Sequence, residues 1–371
     1  MELIAYQSQQ FINQANKFSE SEYWKQLFKI IGDKNIGLND RSHVFKFPIN
    51  TYVPDRFNIP INNNQKYSYE ECALLKTQQI LDRQTQIDKP IYLMYSGGID
   101  SSVVLCSFIK LLGVDQAKKR INIIMNNQSI DENPEMWYSF IRPHFNVINS
   151  DFSYNDTDIT KMIYVSGELN DQLFGADIQQ SYEMFAGSNS LSCPLDYNLL
   201  FKFITEGKKV NADAAHFWTS IFIKNLESCP RIDHTMWDVF WWYNFTWKWI
   251  YVYYRVFLFS RIATEVDTDW IEKDYFPFFS SDEFQLWSMY SDEPKNYGSW
   301  DSYKFTAKKL VSNFIGTDFY MQKTKRQSLK NIVYLRQRSG SLSSNLKIHK
   351  NLDINTVYQS DNIIKNYEKN L

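Results

Sequence analysis

From residue 91 the chain reads IYLMYSGGIDSSVVLCSFIKLLG: a short apolar run, a Ser-Gly-Gly turn, and a stretch whose apolar spacing predicts a helix over about 101–113. This junction constrains the fold because the pattern then repeats. Strands are predicted at 91–95, at 121–127 (INIIMNN), at NVINS and at 162–167 (MIYVSG), with a helix around PEMWYSFIRPHF. Apolar strands interleaved with helices call for a parallel sheet covered on both faces. The expectation is an α/β, doubly wound parallel sheet. Its ligand should lie beyond the carboxyl ends of the strands, where the loops at 96–101, 126–133 and 166–172 gather.

Around that core at 91–180, residues 1–90 read as an N-terminal α+β extension. It has helices at 20–32 and 69–84, and a Ser68/Glu71 capping box opens the second. HVFKFPINTYVP between them reads as extended. Residues 181–371 read as a mostly helical C-terminal lobe with a basic final segment. Aromatic residues make up 17% while Gly and Pro are sparse, which fits a helix-rich globular chain. Forty Lys plus Arg against 42 Asp plus Glu leave no global field to draw the chain to nucleic acid or membrane. Cys72, Cys106, Cys193 and Cys229 are scattered, so reduced thiols are expected rather than a zinc site. The start of the chain lacks a basic and then apolar leader. WDVFWWYNFTWKWIYVYYRVFLFSRIA imitates a membrane span, but Asp238, Asn244, Lys248 and Arg255 within it argue for a buried helix. A soluble, cytoplasmic protein with no membrane partner is the expectation.

The chemistry concentrates in the turn S-G-G-x-D-S. A glycine-rich turn entering a helix offers backbone N–H groups and the positive end of the dipole to an anion. Gly97 and Gly98 let the backbone approach phosphate oxygens, and Ser96, Ser101 and Ser102 add hydroxyl donors. No lysine of the G-x-x-x-x-G-K-[ST] kind follows. Asp100 is the odd member, because a carboxylate beside a polyphosphate repels it unless a divalent cation lies between, and Mg²⁺ suits that place. IYVSGELNDQLFG ends a later strand with Ser166-Gly167 and puts Glu168 and Asp171 in the next loop, where Asp171 can give the metal a second carboxylate. Alone, this second stretch reads as a capped turn. Together they read as a site.

These two stretches resemble the asparagine synthetase-like branch of the N-type ATP pyrophosphatases, the PP-loop superfamily that includes β-lactam synthetases and lasso-peptide cyclases. That family pairs S-G-G-x-D-S-S with a later S-G-E-G-x-D-E-x-F-G-G. The first is intact here as SGGIDSS, and the second is SGELNDQLFGA, with Leu169, Gln172 and Ala176 in place of Gly, Glu and Gly. The resemblance covers about residues 68–340. It implies an adenine nucleotide alpha-hydrolase-like fold and an AMP-forming carbon–nitrogen ligase, which adenylates a carboxylate with ATP and Mg²⁺ and passes the acyl group to ammonia or an amine. It implies adenine-side contacts at Tyr95, Met125, Ser166 and Gly167, and a transition-state lysine at Lys323, with Lys325 as competitor. The family's E-x-R-x-P-F-L-D is matched at Pro277 and Phe278 only. Its glutamate falls on Lys273, which leaves Glu265, Glu272 or Asp274 as substitutes. Ninety residues before the loop are too few for a glutaminase domain, so a separate ammonia source or partner protein is implied.

Two other readings stay open. Between Ser302 and Lys350 eleven Lys and Arg face one acid, Asp318, and this 304–350 segment suits a solvated face, a pyrophosphate lid or a nucleic-acid partner. A PP-loop enzyme adenylating a nucleobase is therefore one alternative. A non-catalytic nucleotide-binding pseudo-synthetase is the other, favoured by the altered second loop. The five histidines are isolated from one another and from any candidate nucleophile.

Overall fold

The computed structural model describes residues 6–7, 21–31, 35–36, 38–47, 58–60, 66–149, 161–175, 177–253, 268–295 and 302–322. An all-parallel sheet of five strands lies at its centre: β1 (Ile91–Met94), β2 (Ile121–Met125), β3 (Asn146–Asn149), β4 (Ile163–Ser166) and β5 (Tyr275–Pro277). Their spatial order is β3-β2-β1-β4-β5. Ile91 sits beside Ile121 and Ile163, and Leu93 beside Ile123 and Val165, all of them buried. Burial on both faces explains why these strands read as unbroken apolar runs rather than as alternations. The order runs outward from β1 through β2 to β3, then resumes on the other side of β1 with β4 and β5.

The helices that bear on the site are α1 (Ser21–Ile31), α2 (Tyr69–Ile87), α3 (Ile99–Leu112), α4 (Asn170–Phe174), α5 (Ala212–Leu226), α6 (Met236–Trp247), α7 (Phe305–Ile315) and α8 (Phe319–Gln322). The Ser68/Glu71 box opens α2, with the Ser68 N–H donating to Glu71 Oε2 at 2.7 Å and the Glu71 N–H to Ser68 Oγ at 3.2 Å. Helix α3 is buried without a break from Ser101 to Ile109 and packs between α2 and α7. The helix predicted around 134–145 is interrupted by a π-turn at Trp137–Ile141. Pro143 offers no N–H to the Ser139 carbonyl, and a wider turn is how a helix absorbs such a loss.

Two differences from the sequence reading matter. The sheet takes its fifth strand from Tyr275–Pro277, inside the stretch expected to be a helical lobe. Three residues ending in proline give no periodic signal, and an edge position tolerates the missing donor. Its root is clamped: Asp274, buried, accepts from Arg83 at 2.8 Å and from Lys89 at 2.5 Å. The second is in HVFKFPINTYVP, read as extended: His43 to Phe45 bend instead, with His43 at φ 59°, and the part from Pro48 onward lies outside the described residues.

The first part of the span-like aromatic stretch forms α6, where all residues from Met236 to Trp247 are buried, and the stretch beyond Tyr253, with Arg255, lies outside the described residues. A helix apolar all round belongs in a core, and among the described residues no helix is long and apolar enough to cross a membrane. Asp238 and Asn244 are among its hydrogen-bonded polar side chains. Asp238 caps Thr235 at 2.8 Å, and the Asn244 amide donates to the carbonyls of Asp171 at 2.9 Å and Gly175 at 3.1 Å. Asn244 thus ties the core helix to the loop after β4. Asn244→Ala removes both bonds and takes the acceptor Oδ1 from the buried Gln172 amide, and urea unfolding should show a loss of about 2–3 kcal/mol.

Candidate functional site

The two glycine-bearing loops meet at the carboxyl ends of β1 and β4. Gly97 has φ +78°, and a Cβ there would lie 2.3 Å from the Ser129 carbonyl oxygen, so only glycine fits this turn. Gly167 of the other loop packs on the start of α3, where a Cβ would come within 2.9 Å of the Ser101 nitrogen. Gly98 is the N-cap of α3 and provides no side-chain cap to the first turn, which leaves its N–H groups to another acceptor. The Ser101 hydroxyl donates to the Gly98 carbonyl at 3.1 Å and accepts from the Ser96 N–H at 3.2 Å, fixing the loop's curl. Ser96 is exposed at its tip.

The centre of the site is a buried ion cluster. Lys304 Nζ lies 2.7 Å from both Asp100 carboxylate oxygens and 2.6 Å from Asp171 Oδ1. Its side chain is 4% exposed. Asp100 stands in the first turn of α3 and Asp171 in the first turn of α4, so two helix starts aim their carboxylates at one point. Asn170 Nδ2 donates to Asp100 Oδ1 at 2.7 Å and is itself held by the Tyr69 hydroxyl at 2.9 Å. The Tyr303 hydroxyl donates to Asp171 Oδ1 at 2.6 Å. Burial opposes the charge on Lys304, but the Asp100 and Asp171 carboxylates prevail and hold its pKa above the ordinary value. A raised lysine pKa contributes stability below the unfolded value of about 10.4 and loses it as pH climbs through the folded one. The ammonium is charged at neutral pH and loses its proton only in strong alkali.

Other expected site residues are placed differently. Ser102 is fully buried and its Oγ meets the Tyr320 hydroxyl at 2.9 Å and the Tyr95 hydroxyl at 3.3 Å. Asn133 Nδ2 donates to the Tyr95 hydroxyl at 3.1 Å and also to that of Tyr320. The Ser102 and Tyr95 side chains therefore form a polar knot beneath the loop, with α8 pinned to it through Tyr320. Met125 ends β2 in the core, and Ser166 Oγ lies 3.3 Å from the Tyr275 hydroxyl. Glu168 is half-buried in the turn after Gly167. Asp274 lies at the amino end of β5 and is engaged by Arg83 and Lys89, away from the loops. Lys323, Lys325, Glu265 and Ala176 lie outside the described residues.

The altered second loop has its own logic. Leu169 takes φ 79° and ψ −4°, the left-handed backbone that suits glycine, while its side chain is buried. Strain of about 1 kcal/mol is offset by about 2 kcal/mol from burying a leucine. Gln172 is buried and its Nε2 donates to Asn244 Oδ1 at 3.3 Å, a bond a glutamate has no proton to make.

The sequence reading missed Lys304, Tyr303, Asn170 and Tyr320. Lys304 looks like the first member of a basic run, and its partner Asp100 is 204 residues away. Comparison with known proteins adds no assignment, since no family model matches the chain and no curated protein is significantly similar to it.

Gly97→Ala must shift the Ser129 carbonyl and adopt positive φ, so urea unfolding should show a loss of about 2 kcal/mol or more. Gly98→Ala, whose Cβ meets nothing closer than Ser96 Oγ at 3.4 Å, should stay within about 0.5 kcal/mol of the parent.

Proposed function

We propose that the chain is an ATP-dependent, AMP-forming amide ligase of the asparagine synthetase-like type, built on a doubly wound, adenine nucleotide alpha-hydrolase-like core. The observation that carries this reading is the meeting of two glycine-bearing loops at the strand-order reversal, with an uncapped helix N-terminus between them. Such a cradle suits a polyphosphate. Backbone N–H groups of α3 and the exposed Ser96 hydroxyl bind the β- and γ-phosphates of ATP, Ser101 holding the loop's shape, while backbone groups at Tyr95, Met125, Ser166 and Gly167 border the nucleoside. The substrate carboxylate attacks the α-phosphorus, an acyl–AMP mixed anhydride forms, and pyrophosphate leaves. An amine or ammonia then attacks the acyl carbon, AMP departs and the nitrogen loses a proton, leaving the amide. Lys323 is the proposed stabiliser of the charge that develops in these steps.

The Mg²⁺ expected between Asp100 and Asp171 does not fit the side chains as they stand, because both carboxylates already close on Lys304. No step is routed through a metal held there. Of the basic segment proposed as a nucleic-acid surface, Lys304 is buried in this cluster, and most of the rest lies outside the described residues.

ATP–pyrophosphate exchange with Mg²⁺ across a panel of amino acids and other carboxylic acids tests the proposal. The expected result is exchange that requires one acid and disappears in Gly167→Val, whose side chain fills the space before the Ser101 N–H. ATP binding with no exchange for any acid overturns the ligase reading. No ATP binding overturns the nucleotide site itself.

A further inference from the structure

We propose that Lys304 is a tethered cation standing where a resident divalent ion would otherwise bridge the two loop carboxylates, so that the chain carries its own countercharge for the phosphate site. The inference rests on reading the two loops as a phosphate site, and it assigns a charge-bearing residue within it. A lysine ammonium has three N–H donors and no acceptor. Three carboxylate oxygens surround Nζ at bonding distance: Asp100 Oδ1 and Oδ2 at 2.7 Å and Asp171 Oδ1 at 2.6 Å. The donor set is thereby used up. Lys304 neutralises the carboxylates and does not itself reach for phosphate.

Its anchoring agrees with a fixed charge rather than a swinging arm. Lys304 is the N-cap of α7, with φ 57° and ψ 31°, a left-handed backbone that a lysine adopts only when its surroundings impose it. The preceding residue reinforces the aim, since the Tyr303 hydroxyl binds Asp171 Oδ1 and, at 3.1 Å, the Gly175 carbonyl. From the other side Asn170 donates to Asp100 Oδ1. These contacts take up acceptor sites that a metal would need, because a small divalent ion demands near-octahedral oxygen ligation. The electrostatic result is equally direct. Two carboxylates facing a polyphosphate repel it, and one ammonium between them cancels half of that charge without desolvating a metal ion. Divalent metal then arrives with the nucleotide, on its phosphate oxygens, and not on a preformed carboxylate site.

The test is a titration with Mn²⁺ alone, without nucleotide, read by electron paramagnetic resonance of the free ion and by the shift in melting temperature. The full chain, Lys304→Met, Lys304→Gln and the double variant Lys304→Met/Asp100→Asn are compared. The expected result is that the parent holds no Mn²⁺ sensitive to Asp171→Asn. Lys304→Met should acquire one Mn²⁺ site, roughly tenfold tighter or more than any in the parent, and lose it on adding Asp100→Asn. A parent chain that binds one Mn²⁺ in a manner abolished by Asp171→Asn overturns the proposal. So does a folded Lys304→Met that binds no better than the parent. Should Lys304→Met not fold, Lys304→Gln takes its place under the same criteria, and the parent titration decides by itself in either case. Failure of the nucleotide reading shows separately, as a parent chain that does not bind Mg-ATP whatever its response to Mn²⁺.

Discussion

The contact of one ammonium with two carboxylates ties together three segments that are far apart in sequence. Asp100 follows β1, Asp171 follows β4, and Lys304 opens α7. Burying a lone ammonium costs several kcal/mol, and two carboxylates pressed together repel, so each of the three is stabilised there by the others. Their joint satisfaction fixes the spacing of the two loops and seats α7 along α3. Where α7 goes, α8 follows, which brings Tyr320 onto Ser102 and the Gly97 carbonyl beneath the Ser-Gly-Gly loop. The shape of the cradle is thus set from below by hydroxyls and from the side by a charge.

The aromatic core acts on the same loops from behind. Helix α6 presents Asn244 to the turn after β4, and the amide side chain serves both as donor to two carbonyls and as acceptor from Gln172. Leu169 and Gln172, which depart from the pattern the loop resembles, are the residues this packing accommodates: one fills core space, the other supplies a proton to Asn244. The substitutions and the aromatic helix behave as one adaptation of the loop's support, leaving Asp171 directed at the site.

Much of this was legible locally. The apolar runs of β1, β2 and β4, the Ser68/Glu71 box and the glycines at strand ends carry short-range signals, and the structure places them within a residue or two. Asp100 and Asp171 stood out because acids are unusual beside a phosphate loop. Lys304 did not, since nothing near it distinguishes an inward lysine from a solvated one; only the tertiary partner does. Ser102 shows the reverse case. A hydroxyl at a helix start reads as a ligand donor, yet α3 is buried on nearly every side, so the phase of the helix turns this serine inward. β5 escaped notice because three residues with a proline have no period to read.

That last strand carries a consequence for how the chain reaches its native state. β5 pairs with β4 in parallel across roughly a hundred intervening residues, most of them helical. Closing so long a loop is entropically unfavourable until the intervening helices have condensed, and parallel pairings at long separation are slow for that reason. Loop closure is cheapest after the aromatic core of α5 and α6 has condensed, so the fifth strand is expected to join the sheet late. Until then β4 presents an open, apolar edge, and the period of greatest exposure to aggregation falls between those two events.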